Sequence, residues 1–367
     1  MGKNLVGKNP DLFLLSIFLF ILIGNFLILA SVSAPISQEK YGESFYYFRH
    51  QIIYGLIPGV ILLLFFYKID LNLLKKYSPI FLLITLVFTA LVFIPGIGIT
   101  IRGGTRWIGF GPFSFQPSEF LKLAFIVYLA AWLETRTKKK TKNFNQTLVA
   151  FLIILSLIGI FLLAQPDVST FGIIFATALV MFFLAKTPMW QTFSILVLAI
   201  LLLIPLIKTS TYRMHRILTF LNPDLDPLGI GYQIKQVLIA IGSGKLFGLG
   251  FGLSQQKFGF LPQSFSDAIF AVFAEESGFL GCLFLIILYL MFFWKSFKIG
   301  KERQNEFERL LVFGISFWIC FQTFLNIGAM TRILPLTGIP FPFLSYGGSH
   351  LISEMAAVGI LLKISKS

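Results

Sequence analysis

The sequence is short of charge. Only 13% of its 367 residues are Asp, Glu, Lys or Arg, against roughly 25% in ordinary soluble domains, so the chain cannot cover a water-facing surface. Acidic residues are the scarcer sign, 16 against 30 Lys and Arg, which leaves a formal charge of +14. On a soluble protein that excess would suggest nucleic acid. Here the basic residues sit in short connections between apolar runs and not along one helix face, so they read as topology signals facing membrane lipids, with no nucleic-acid partner. Cysteine is nearly absent. Cys282 and Cys320 lie inside apolar runs with no CxxC pair and no His beside them, so neither a metal site nor a redox motif is suggested, and both read as small core residues. No period of about 20–50 residues recurs, which sets repeat arrays aside.

What is abundant is apolar: 56% of residues are hydrophobic, 44 of them Phe, and mean hydropathy is +0.85. A span needs roughly 20 apolar residues to cross about 30 Å of hydrocarbon. Runs near that length lie around 12–32, 48–67, 79–96, 118–134, 147–164, 168–185, 189–207, 268–294, 310–330 and 344–363. The expected fold is therefore an all-α polytopic membrane protein, residues 1–367 forming a single domain of about ten transmembrane helices. A long extracytoplasmic loop, 208–267, separates spans 7 and 8. The first run ends in Val32-Ser33-Ala34 like a cleavage site, but its apolar core exceeds the roughly 7–15 residues of a signal peptide and reads as an uncleaved anchor.

Orientation follows the positive charges. Lys3 and Lys8, Lys68, Lys75 and Lys76, the group Arg136, Lys138, Lys139, Lys140 and Lys142, then Lys186, the group Lys295, Lys298, Lys301, Arg303 and Arg309, and finally Lys363 and Lys366 occupy alternate connections. Those connections and both termini are expected in the cytoplasm. The other set carries only Lys40, Arg49, Arg102, Arg106 and Arg332, apart from the long loop, which escapes the charge rule. Ile94–Gln116, IPGIGITIRGGTRWIGFGPFSFQ, has too much Gly and Pro for a regular span, and non-helical backbone at that depth must be buried in protein or line a cavity. Within the long loop Ile230, Ile234, Val237, Leu238 and Ile241 have helical spacing, as for a helix along the interface.

Ionisable groups inside apolar runs point to chemistry, because each costs about 2.5–3.5 kcal/mol at a helix centre on insertion scales. Four places qualify. In Gln116-Pro117-Ser118-Glu119-Phe120-Leu121-Lys122, Pro117 suits a first helical turn and Glu119 and Lys122 share one face, as a functional pair or as a neutral pair that lets the helix insert. Gln165-Pro166-Asp167 breaks two spans, and Asp167 either caps the next helix or acts. In Ser264-Phe265-Ser266-Asp267 and onward, Ala271, Ala274, Glu275 and Gly278 would share a helical face with Asp267, a small-residue groove with a carboxylate at its mouth. The last, Pro340-Phe341-Pro342-Phe343-Leu344-Ser345-Tyr346-Gly347-Gly348-Ser349, is a rigid turn entering a small-residue helix start fit for close packing, with Glu354 one to two turns further on.

Taken together these segments carry a resemblance. TRWIGFGPFSFQPSEFLK, QPDVST, GIGYQIKQVLIAIGSGKLFGLGFG, SQQKFGFLPQSFSDAIFAVFAEESGFLG and NIGAMTRILPLTGIPFPFLSYGGS resemble, in order and over nearly the whole chain, the SEDS proteins, the RodA and FtsW group of bacterial cell-wall polymerases. IPGIG, GPFSFQPSE and SQQK look more like the FtsW side. The resemblance implies a peptidoglycan glycosyltransferase of the bacterial inner (cytoplasmic) membrane that joins lipid II disaccharide-peptide units by β-1,4 bonds and releases undecaprenyl pyrophosphate, in division or elongation. It further implies a class B penicillin-binding protein, a transpeptidase, as partner. Asp267 matches the family's essential aspartate, Glu119 and Lys122 the charged pair of its QPSE motif, and Trp107 the tryptophan of its RW motif. Two departures stand out. Where the family usually has Leu-Pro-Glu, one residue, then His-Thr-Asp, this chain has Leu261-Pro262-Gln263-Ser264-Phe265-Ser266-Asp267, and His350 replaces the usual small residue after SYGGS.

The chemistry fits these residues. A β-1,4 link made from an α-linked sugar diphosphate inverts the anomeric centre, which needs a base for the acceptor hydroxyl and cations for the departing diphosphate. Asp267 is the expected base. Lys122, Arg106 and Arg216 are the expected phosphate partners, and a divalent cation, Mg or Mn, could share that work; no organic cofactor is implied. Trp107 would lie against a sugar or lipid face or simply anchor at the interface. Gln116, Ser118, Glu119 and Glu275 complete the substrate-binding candidates. The rival readings are a transporter that flips lipid II, for which buried charges are equally apt, and a non-enzymatic scaffold of the cell-wall synthesis complex.

Overall fold

The computed structural model describes residues 9–101, 104–110, 113–138 and 144–366. Lys3, Lys8, Arg102, Lys139, Lys140 and Lys142 lie outside the described residues. The helices are α1 (Leu12–Tyr41), α2 (Tyr46–Lys68), α3 (Leu71–Leu91), α4 (Pro117–Lys138), α5 (Phe144–Ala164) and α6 (Val168–Leu184). They continue with α7 (Met189–Lys208), α8 (Thr211–Leu221), α9 (Ile230–Ser243), α10 (Ile269–Glu302), α11 (Glu306–Met330) and α12 (Gly348–Ser365).

Each of the ten apolar runs falls on one of these helices. Among the described residues seven helices are long and apolar enough to cross a membrane, and α6 is apolar but shorter. The helices α4 and α12 fall short in apolarity for a physical reason: protein, not lipid, surrounds them. Every residue from Ser349 to Leu362 is buried, and α12 packs on α2, α4 and α11. The expected close packing at the small-residue start of α12 is seen at Gly348, where a Cβ would come within 2.6 Å of the Tyr54 carbonyl oxygen on α2. Short polar side chains cap the starts of helices where the sequence breaks. Asp11 accepts from the Leu14 amide at 3.0 Å, Asp70 from Asn72 at 3.0 Å and Asn305 from Phe307 at 3.0 Å, each satisfying an amide that the first turn leaves unpaired.

The all-α expectation needs one correction. Three segments form a three-stranded antiparallel sheet, β1 (Gly98–Ile101), β2 (Gly104–Phe110) and β3 (Phe113–Phe115), in the order β1-β2-β3. Ile99 faces Trp107 and Ile108 faces Phe115 across the ladders. Gly and Pro disfavour a helix here, yet the backbone must still pair its polar groups, and the two antiparallel ladders do so while β2 packs on α4 and β3 on α12. The 208–267 segment is helical in part: α8, a short 3-10 turn at Pro223–Leu225 and α9. Ile234 and Val237 are buried where α9 packs on α10, so the amphipathic stretch is a helix docked on the bundle.

The two ends of the bundle differ. At one end Lys295 pairs with Asp11 at 2.6 Å, the Asp11 amide donates to Ser365 Oγ at 3.0 Å, Lys75 pairs with Glu134, and Lys186 reaches Glu306 at 3.9 Å. These are the connections that carry the alternate basic clusters. The opposite end holds the sheet, α8, the turn before α6 and the two loops that precede α10 and α12.

Candidate active site

A cavity of about 440 Å³ opens at that opposite end, lined by residues from β2, α4, α6, α8 and the loops before α10 and α12. It brings together Asp267, Glu119, Lys122, Arg106, Trp107, Gln116 and Arg216. Seven of the nine residues expected at the site thus share one space, although they run from position 106 to position 267 of the sequence.

Glu119 and Lys122 stand at the cavity floor because Pro117 starts α4 there. Lys122 Nζ lies 2.9 Å from Glu119 Oε2, with both side chains almost wholly buried. The ammonium also donates to Gln322 Oε1 at 2.9 Å and sits 5.0 Å from the Trp318 ring centre. A buried ion pair is tolerable only when such further partners share the charges. Gln322 is itself fixed, since its amide donates to the Pro340 carbonyl at 3.0 Å.

The Arg106 side chain leaves β2 to meet the turn before α6. Its Nε donates to the Gln165 carbonyl at 3.1 Å and its Nη2 to the Pro166 carbonyl at 2.5 Å, and its Nη1 is 3.7 Å from Asp167 Oδ1. Asp167 caps α6 through the Thr170 amide at 3.4 Å and accepts from Ser118 Oγ at 3.4 Å. Capping and cavity lining are therefore one arrangement at this residue. On α8, Arg213 and Arg216 both reach the cavity. Arg216 donates to the Tyr212 hydroxyl at 2.8 Å, and the far end of α8 is held by Arg332, whose Nη2 lies 3.2 Å from the Phe220 carbonyl.

Asp267 occupies the turn immediately before α10, so its position depends on how that turn is anchored. Asn326 Nδ2 donates to the Asp267 carbonyl at 2.9 Å and to the Ile339 carbonyl at 2.7 Å. Ser345 Oγ donates to the Ser266 carbonyl at 2.7 Å, and the Tyr346 amide to the Phe265 carbonyl at 3.0 Å. The loop before α10 is thus riveted to the loop before α12. Asn326 and Gln322 were not singled out in the sequence, yet both were visible as uncharged polar groups inside an apolar run, where each must find a partner; Ser345 was read only as part of the rigid turn before α12.

Two expected site residues do not line the cavity. Ser118 points past it and joins Gln116 Nε2, at 3.1 Å, to Asp167. Glu275 is turned the other way, where it accepts from Ser254 Oγ and from the amides of Gln255 at 3.2 Å and Gln256 at 3.4 Å. The groove reading assumed that Asp267 belongs to the helix. Helix α10 begins two residues later, and the face carrying Ala271, Ala274 and Glu275 is buried. Loop residues 245–250 fill it, with Leu249 N donating to Glu275 O at 2.9 Å and Phe279 N to Lys245 O at 2.9 Å. In the departing loop motif, Gln263 and Ser266 line the cavity and bond each other at 2.8 Å, whereas Phe265 packs between Tyr47 and Tyr346, its ring centre 4.7 Å and 5.3 Å from theirs.

With this geometry in hand, residues 11–367 match the family model for FtsW, RodA and SpoVE cell cycle proteins. The chain belongs to that family, the SEDS proteins. Among its relatives, the stage V sporulation protein E of Bacillus subtilis (strain 168) is 37% identical over 358 residues, 98% of this chain and 97% of the relative. The "Probable peptidoglycan glycosyltransferase FtsW" of Thioalkalivibrio sp. (strain K90mix) is 37% identical over 360 residues, 97% of this chain and 90% of the relative. Among solved structures, a chain of a peptidoglycan synthase complex that coordinates polymerization and crosslinking aligns with TM-score 0.77 and 25% identity, over 97% of both chains. The rod shape determining protein RodA of Thermus thermophilus aligns with TM-score 0.69 over 97% of this chain and 96% of that one; at 24% identity it bears on the SEDS fold alone. This SEDS protein is a multi-pass membrane protein.

Proposed function

We propose that the chain is a peptidoglycan glycosyltransferase that joins lipid II disaccharide-peptide units into β-1,4 glycan strands, with release of undecaprenyl pyrophosphate. The relatives named as peptidoglycan glycosyltransferases support the activity. The observation that carries the reading is the cavity itself, which sets Asp267 in the same space as the cations Lys122, Arg213 and Arg216. A sugar-diphosphate donor needs that combination, and a hydrocarbon-filled packing gap does not.

In this reading Asp267 takes the proton of the acceptor 4-hydroxyl as its oxygen attacks the anomeric carbon from the face opposite the diphosphate. The new C–O bond forms, the bond to the diphosphate oxygen breaks, and its electron pair leaves with the diphosphate. The α-linkage becomes β, so the enzyme inverts. Arg213, Arg216 and Lys122 meet the charge that builds on the leaving group. Trp107, paired with Ile99 of β1, lines the cavity, placed to cover a sugar or prenyl face. Among the described residues no group of three His, Cys, Asp or Glu converges to hold a metal ion. A divalent cation would therefore arrive bound to the diphosphate, as Mg²⁺ commonly does with few protein ligands, and no step here depends on it.

The positive charges support an inner-membrane orientation with both termini cytoplasmic and the cavity outside. The class B transpeptidase is the proposed partner, in keeping with the synthase complex to which the fold is similar. Protein reconstituted in vesicles and given lipid II already on the cavity side tests the activity: polymer without any flipping step is the expected outcome. Flipping without polymer would establish the transporter instead, and neither activity alone, with stimulation of a partner synthase, the scaffold.

A further inference from the structure

His350 stands in the first turn of α12 and lines the same cavity. It is 5% exposed, and its Nε2 has no hydrogen-bond partner. The ring's backbone contact is with the Ser345 carbonyl, in the turn that anchors the Asp267 loop. A carbonyl accepts, so the ring nitrogen serving that contact carries the proton, and Nε2, the one left over, presents a bare lone pair. Lys122 is the neighbouring cation, but its ammonium bonds Glu119 and Gln322 and makes no hydrogen bond to Nε2. A buried acceptor without a partner has lost its hydration with nothing in return, a loss that a ligand donor would recover.

We infer that His350 is a specificity-determining residue that accepts a hydrogen bond, through Nε2, from a hydroxyl or amide N–H of the saccharide. In this tautomer Nε2 has no proton to give the diphosphate, whose ionised oxygens only accept. The arginines of α8 and Lys122 serve the diphosphate, while His350, in the first turn of α12, reads the sugar. The inference rests on the proposed substrate class, not on turnover, because binding alone reveals it.

The test measures binding to the full-length protein in lipid nanodiscs of two probes, undecaprenyl diphosphate and the same lipid carrying the disaccharide-peptide. His350→Ala should weaken the sugar-bearing probe by about tenfold, the scale of one lost hydrogen bond, and leave the sugar-free probe unchanged. His350→Gln, which keeps an acceptor, should recover most of the difference, and His350→Leu should not; this pair reads the same effect if the alanine variant does not reach the membrane. Equal weakening of both probes would overturn the inference, since it would mean a diphosphate contact or a structural role. Unchanged binding of both would overturn it as well. If His350→Ala weakens only the sugar-bearing probe while the wild-type protein makes no polymer, the polymerase reading falls and the role of His350 stands.

Discussion

Glu119 and Lys122, one helical turn apart on α4, form a 2.9 Å ion pair with 4% and 2% of their side chains exposed, and both also line the cavity. Structure and chemistry are therefore coupled at this pair, and a single substitution confounds them. Lys122→Met leaves the Glu119 charge buried without its cation, which costs about 3–5 kcal/mol of stability. Lys122→Met combined with Glu119→Gln removes both charges. The double variant should regain near-normal thermal stability and expression, while polymerisation stays at least tenfold down because the leaving group has lost a cation. Recovery of both stability and activity in the double variant would make the pair purely structural.

Gly278 offers a test of how the helix beneath Asp267 is shaped. It interrupts α10 with φ 66° and ψ −169°, a left-handed conformation that disfavours any other residue. A Cβ there would also come within 2.7 Å of the Leu246 carbonyl oxygen in the loop that pairs with the kink. Gly278→Ala should cost about 1–3 kcal/mol in backbone strain before the clash is counted. It should lower the temperature at which detergent-solubilised protein loses monodispersity, and open residues 245–257 to proteases. Gly24→Ala, where a Cβ meets nothing within 4 Å, is the matched control and should change neither.

How much of this was legible in the sequence varies with the kind of signal. Helix positions were plain, because roughly 20 apolar residues in a row have few other uses. The sheet at 98–115 was not, since β1 and β3 are too short for a periodic pattern and glycine dominates between them. Asp267 and Lys122 could be singled out as charges in apolar surroundings, and Arg106 only as a cation that a diphosphate would need. Glu275 carried the same signal and belongs elsewhere, because the start of α10 at Ile269 decides which way its carboxylate faces. Asn326 and Ser345, which hold the Asp267 loop by its backbone, act through pairings with residues 267 and 266, and sequence separation hides such contacts.

The membrane orientation predicts accessibility. Lys245 and Lys301 are both exposed and belong to opposite ends of the bundle. In a background lacking Cys282 and Cys320, Lys245→Cys should react with a membrane-impermeant maleimide in intact cells stripped of outer barriers. Lys301→Cys should react only after the membrane is permeabilised. Equal labelling of both from outside would overturn the proposed topology.

Asp267 is the sharpest test of the mechanism, because neither flipping nor scaffolding needs a base at that place. Asp267→Asn preserves size and the backbone carbonyl that Asn326 holds at 2.9 Å, so the loop should keep its anchor and the protein its stability. The amide cannot take the acceptor proton, and polymerisation should fall by roughly 100-fold or more. Binding of undecaprenyl diphosphate, which depends on Arg213, Arg216 and Lys122, should change little, so the loss should appear in kcat and not in KM. Asn326→Ala gives the contrast: it frees the turn and leaves the carboxylate, and it should reduce kcat by a smaller factor together with stability. An Asp267→Asn protein that reaches the membrane at normal level and polymerises at near wild-type rate would remove Asp267 as the base and return the transporter reading to the front.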